Sequence, residues 1–143
     1  MKNTYFSPED ILFEAVKYNR IKKIRNLIKS GAVDVNCVRQ GGNDNTPLHI
    51  SIRSHNRAYS IKTIMVLLEN GADINRKNGS GITPLYLAAS FGRKASIQAM
   101  TRLDGVMAPD LDIIPDSGVN IVDNTINRGF PFVAMFLKNF SKK

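Results

Sequence analysis

The sequence is poor in the side chains from which most active sites are built. It has one cysteine, two histidines and no tryptophan among 143 residues. A lone thiol, Cys37, cannot close an internal disulfide or supply a cysteine-based metal site. His49 and His55 alone assemble no catalytic or metal constellation, and no paired carboxylates in a shared motif accompany them. Glycine-rich phosphate loops and a nucleophile elbow are absent, so phosphoryl-transfer and acyl-transfer chemistry lack their usual frames. No apolar run approaches the ~18–20 residues of a membrane span. The stretch Met1–Asp10 also lacks the apolar core of a secretory signal. These absences lead to the expectation of a non-enzymatic chain with no cofactor and no transmembrane segment. It is expected in the reducing cytoplasm, a profile shared by proteins delivered into a host cell by a specialised secretion machine.

What is present is ordinary for a globular chain: 43% hydrophobic and 22% charged residues, enough for one domain over 1–143. The charge is not ordinary. The net charge is +8 and the pI about 9.8. Between Lys17 and Lys29 every charge is basic, and between Asp104 and Asp123 every charge is acidic. A basic chain attracts nucleic acid, anionic lipid or an acidic protein. The helix Arg20–Lys29 also has a plainer reading, since Ile21, Ile24 and Ile28 form one stripe and leave its cations on a solvated face.

The segment Thr83-Pro84-Leu85-Tyr86-Leu87-Ala88-Ala89-Ser90-Phe91-Gly92 organises the rest. Thr83 caps a helix start, Pro84 presets its first turn, Leu85, Ala88 and Ala89 recur at helical spacing, and Gly92 supplies the turn. Thr46-Pro47-Leu48-His49 repeats the pattern 37 residues upstream, and Asn120 stands 37 residues downstream. Asp10 lies 36 residues before Thr46, with Leu12, Ala15 and Val16 in the register of Leu85, Ala88 and Ala89. Here Asp10 is expected as the N-cap. A second amphipathic helix follows each first one: Arg20–Lys29, about Ile61–Glu69, about Ala95–Leu103, and Pro131–Phe140. Gly31 and Gly71 fit the left-handed residue that closes such helices. The units are 10–45, 46–82, 83–119 and 120–143, the outer two acting as caps.

Thr-Pro-Leu-His, Leu-Ala-Ala and Val-Leu-Leu-Glu-Asn-Gly-Ala-Asp-Ile-Asn, with the return to Thr-Pro-Leu, resemble the ankyrin repeat, whose period is 33 residues. The match is strongest over 46–103, good over 10–36 and weakest over 104–143. The resemblance implies an all-α solenoid of stacked antiparallel helix pairs, with β-hairpin fingers projecting between units. It further implies binding of another protein through the fingers and the inner helices, without catalysis. His49 takes the family's turn-bracing role, which Tyr86 replaces in unit three. Asn75 matches the asparagine that ankyrin repeats can have hydroxylated in animal cells. Each departure from the period is placed in a loop. Unit one is three residues longer, around Val33 and in Arg39-Gln40-Gly41-Gly42. Unit two carries four extra between its helices in Ser54–Ser60, and unit three four extra within Val106–Pro115. The segment 104–119 reads either as an extended finger or as a loop over the last groove.

Contact residues are sought among those that stacking does not require. In the fingers these are Arg39, Gln40, Asn43, Asp44 and Asn45, then Arg76, Lys77, Asn78, Ser80 and Ile82. At the ends of the inner helices they are Arg53, Ser54, Ser90 and Phe91, joined by Arg57 and Tyr59 from the insertion. Gly79-Ser80-Gly81 follows no strand-to-helix motif and reads as a finger tip. Cys37, near a finger base, reads as a small packed hydrophobe. The leading expectation is a monomeric module that binds a protein with an acidic patch, as an inhibitor or as a viral or bacterial effector. Binding of nucleic acid or an anionic membrane by the basic first unit is the alternative.

Overall fold

The computed structural model describes residues 5–141. Eight helices lie among them: α1 (Pro8–Lys17), α2 (Ile21–Lys29), α3 (Pro47–Arg53), α4 (Arg57–Glu69), α5 (Pro84–Ser90), α6 (Lys94–Arg102), α7 (Ile121–Asn127) and α8 (Pro131–Ser141). Each consecutive pair packs as a hairpin. The first helices of the pairs stack in the row α1–α3–α5–α7, and α2–α4–α6 form a second row behind them. This is an ankyrin solenoid, all-α among the described residues.

Local chemistry sets both ends of the inner helices. Ser7, Thr46, Thr83 and Asn120 stand in extended backbone before them, and proline opens the first three. Side-chain oxygens of Ser7, Thr83 and Asn120 accept from the amides of Asp10, Tyr86 and Asp123 at 3.1, 3.2 and 2.9 Å. These bonds satisfy amides that the helix leaves without partners. At the other end the chain turns through a left-handed residue, Asn19 (φ 54), Gly92 (φ 63) or Gly129 (φ 87). The following amide then reaches back to the helix: Arg20 to the Ala15 carbonyl at 2.8 Å, Arg93 to Ala88 at 2.9 Å and Phe130 to Thr125 at 3.0 Å. Unit two has no such residue, and its chain leaves α3 extended at Ser54.

Between the rows, Leu12, Val16, Ile24, Leu48, Ile52, Ile64, Leu67, Leu85, Ala88, Ile97, Met100 and Leu137 form one continuous core. Each large aliphatic here contributes roughly 1.5–3 kcal/mol through removal from water. The small Ala88 and Ala89, both fully buried, are where neighbouring helices come close.

Three expectations change. Asp10 is not the N-cap: α1 begins a turn earlier on Ser7-Pro8, and Asp10 sits at the third helical position. There its carboxylate accepts from the Ser7 amide at 3.1 Å, closing a capping box. The register of Leu12, Ala15 and Val16 is unaffected: all three are buried, as are Leu85, Ala88 and Ala89. The insertion in unit two is not a loop either. Asn56 caps α4, and Arg57–Ser60 add a turn to it, so the extra residues lengthen a helix. Finally, the fingers hold no strand among the described residues. They close as turns, with single bonds such as Asn78 N–H to the Ile82 carbonyl at 2.9 Å rather than a ladder. The segment 104–119 lies along the second finger, where the Asp116 amide donates to the Ser80 carbonyl at 3.1 Å.

Candidate functional site

A groove of about 800 Å³ runs from the first finger along the ends of α1 and α3 to the start of α4. Lys17 and Arg53 stand in the last turns of α1 and α3, where the negative ends of the helix dipoles favour cations. Arg39 adds a third cation from the finger, and among the described residues no carboxylate lines the groove. Tyr18 and Tyr59 form its aromatic surfaces, and both are more than half exposed. The added turn of α4 carries Tyr59, so the insertion in unit two builds one wall. Lys17 Nζ lies 5.3 Å and the Arg20 guanidinium carbon 6.0 Å from the centre of the Tyr18 ring.

A polar chain fixes the floor. Thr63 Oγ1 donates to Asn19 Oδ1 at 2.8 Å, and Asn19 Nδ2 donates to Ser54 Oγ at 3.1 Å. The Arg93 guanidinium donates to the Ser54 carbonyl at 2.9 Å. Units one, two and three are thereby tied through a single buried serine. Burial and the neighbouring Arg57 guanidinium both push the pKa of Arg93 downward.

The fingers are cross-braced by short polar side chains. Asn78 Nδ2 donates to Asn45 Oδ1 at 3.0 Å, and Asn43 Nδ2 donates to Ser80 Oγ at 3.1 Å. His49, fully buried, ties the start of α3 to the end of the second finger, where the next unit begins. Its Nε2–H donates to the Ile82 carbonyl at 2.9 Å, which leaves Nδ1 to accept from the Thr46 amide at 3.2 Å. Burial lowers its pKa, with the Ile82 bond acting in the opposite direction. In unit three the Tyr86 hydroxyl donates to the Val119 carbonyl at 2.9 Å, the same bridge made with a longer side chain.

The residues singled out from the sequence therefore divide. Asn45 and Ser54 are buried and committed to the internal bonds just described. Asn43, Asn78 and Ser80 brace the fingers, Ile82 is half-buried with its carbonyl on His49, and Ser90 accepts from Asn124 Nδ2 at 2.7 Å. Arg39, Gln40, Asp44, Arg53, Arg57, Tyr59, Arg76, Lys77 and Phe91 are exposed. The groove also recruits Lys17, Tyr18, Asn19, His55 and Asn56. Lys17 and Tyr18 occupy in unit one the positions of Ser90 and Phe91 in unit three, so the register would have found them. The six cations from Lys17 to Lys29 are spread over more than one surface. Lys17 faces the groove, Arg20 and Lys23 border a second depression with Phe6 and Ile11, and Lys22, Arg25 and Lys29 lie exposed outside both. Cys37 is half-buried, and burial with Glu9 and Asp34 nearby pushes its thiol up to about 11, which keeps it protonated near neutrality. No group of three metal-ligating side chains occurs among the described residues, and no helix is long and apolar enough to cross a membrane.

Comparison with known proteins agrees with this architecture. A family model described as ankyrin repeats (3 copies) matches residues 8–108. The chain is 46% identical over 78 residues to human ankyrin repeat domain-containing protein 53, covering 54% of this chain and 14% of that protein. A putative ankyrin repeat protein of fowlpox virus is 33% identical over 96 residues, covering 64% of this chain and 25% of the relative. Mouse protein phosphatase 1 regulatory subunit 27 is 27% identical over 86 residues, covering 59% and 52%. The chain thus spans only a part of each of these relatives, which are named as repeat proteins or a regulatory subunit rather than as enzymes. With capped inner helices, paired rows and finger braces in place over the matched residues, the chain belongs to the ankyrin-repeat family.

Proposed function

We propose that the chain is a non-catalytic protein-interaction module that binds a partner with an acidic surface. The contact surface is the exposed face of the two fingers and the ends of the inner helices. The observation that carries this reading is what stacking leaves over. Arg39, Arg53, Arg57, Arg76 and Lys77 are exposed cations, Tyr59 and Phe91 are exposed aromatics, and Asp44 is the one acid among the exposed contact candidates. Arginine and aromatic side chains carry a disproportionate share of interface energy. A solenoid cross-braced by His49, Asn45 and Asn78 loses little conformational entropy on docking. A name such as regulatory subunit among the relatives suits a protein that works by occluding or redirecting its partner, and a poxvirus relative suits a role inside a host cell. The module acts as a monomer in the cytoplasm in this reading.

The test is affinity capture from lysate with the wild type beside an Arg76→Glu/Phe91→Ala double variant shown by circular dichroism to be folded. A protein held by the wild type and released by the variant supports the surface. Retention of the same protein by both rejects it. Retention of nothing but nucleic acid, removed by roughly 0.5 M salt, transfers the function to phosphate binding.

A further inference from the structure

We propose that the groove between units one and two is a specificity pocket for an acidic peptide segment carrying an apolar side chain. The proposal rests on the reading above and names what that surface selects. Lys17, Arg39 and Arg53 approach the groove from three different elements, and no carboxylate lining it neutralises them. Carboxylates of an extended peptide would pair with the two guanidiniums, which present forked donors matched to planar anions. Tyr59, 55% exposed on the added turn of α4, then offers an apolar wall for the intervening side chain.

Three features favour a peptide over other anions. The Tyr18 ring already has its own Lys17 and Arg20 within cation–π range, so a stacking base would have to compete with those side chains for it. The floor, Asn19 and Ser54, is spent on internal hydrogen bonds, so recognition falls to the charged rim and the tyrosine wall. A second copy of the chain could present its acidic run Asp104–Asp123. At a net charge of +8, however, two copies repel at long range, which favours an acidic partner in trans.

The test uses the whole chain and a fluorescein-labelled glutamate-rich peptide with one central phenylalanine, followed by anisotropy. Arg53→Ala and Tyr59→Ala are expected to weaken binding about tenfold or more each, Arg53→Lys to recover part of the loss, and Lys138→Ala, exposed on α8 and outside the groove, to change it by less than about threefold. Replacing the phenylalanine by glycine is expected to weaken binding as much as Tyr59→Ala does. Equal affinity of all variants overturns the proposal. Preference for a mixed-sequence single-stranded oligonucleotide, or sedimentation as a dimer that Arg53→Ala dissolves, overturns it in favour of those occupants. If the peptide fails while captured protein is still lost with Arg76→Glu/Phe91→Ala, the groove proposal falls and the interaction surface stands. If capture is indifferent to that double variant as well, both fall.

Discussion

The guanidinium of Arg93 donates to the backbone carbonyl of Ser54 at 2.9 Å, tying the turn of unit three to the floor of the groove in unit two. The bond does the work of the left-handed turn that unit two lacks. Instead of folding back on α3, the chain at Ser54 is held from outside. Arg93 also has cost attached to it, since its Nε is buried without a partner and Arg57 lies nearby. Arg93→Ala is therefore expected to lower stability by only about 1–2 kcal/mol, the low end for a charge-assisted bond. It should also speed amide exchange around Ser54 and Asn56. Urea unfolding with hydrogen exchange checks both, and unchanged exchange there would mean the loop does not depend on this bond.

Gly92 is constrained twice. Its φ of 63° favours glycine, and a Cβ placed on it would meet the Phe130 ring at 2.5 Å. Gly92→Ala is expected to cost about 2–4 kcal/mol, combining backbone strain with overpacking. Gly31 has a similar φ of 71° but open space around it, so Gly31→Ala should cost about 1 kcal/mol. Gly92→Asn separates the two effects, because Asn19 holds the same conformation in unit one. If Gly92→Asn proves as mild as Gly31→Ala, the contact with Phe130 is not limiting.

His49 gives the fold a pH dependence whose sign follows from its burial. Its pKa in the folded chain lies below the ordinary 6.5, so the unfolded chain takes up the proton first as pH falls. Stability contributed by neutral His49 is complete above 6.5 and declines as pH drops through the interval down to the folded pKa. The melting temperature should be lower at about pH 5.5 than at about pH 7.5. His49→Gln keeps a donor and an acceptor without titrating, so its two melting temperatures should differ less, from a lower starting point. An undiminished difference in His49→Gln would place the titrating group elsewhere.

Asn36 and Asn75 make the same clamp one unit apart. Asn36 Nδ2 donates to the Gly71 carbonyl at 3.0 Å while its Oδ1 accepts from the Asp73 amide at 2.7 Å. Asn75 does the same with the Ala108 carbonyl at 3.3 Å and the Asp110 amide at 2.7 Å. Asn75→Ala should cost about 1–2 kcal/mol and selectively deprotect the Asp110 amide. Asn36→Ala should deprotect Asp73 instead. A global rather than local loss of protection in either variant would show that the clamp carries the whole stack.

Much of the fold is legible in the sequence because its signals are local. Thr46-Pro47 and Thr83-Pro84 state helix starts, Gly71 and Gly92 state turns, and the Leu85/Ala88/Ala89 spacing states which face is buried. Even the weak unit at Asn120 follows, since a capping side chain acts within three residues of itself. Register counted from Thr46 points to Asp10 rather than to Ser7-Pro8, because register cannot say how many turns precede it.

The site was less legible, for a related reason. Sequence spacing separates residues that stacking needs from those it does not, and that distinguished Arg39, Arg53 and Tyr59 as free. It could not say that Asn45 and Ser54 would be buried, because their partners Asn78, Asn19 and Arg93 lie 33, 35 and 39 residues away. By itself the sequence determined the repeat, the caps of α3, α5 and α7, and the charge asymmetry, all consequences of near-neighbour chemistry. Only the tertiary structure decided that the insertion in unit two extends α4, that Lys17 turns toward Arg39 and Arg53, and that a groove opens between them. Those outcomes depend on how one unit meets the next, where long-range polar contacts select among arrangements that local propensity leaves equal.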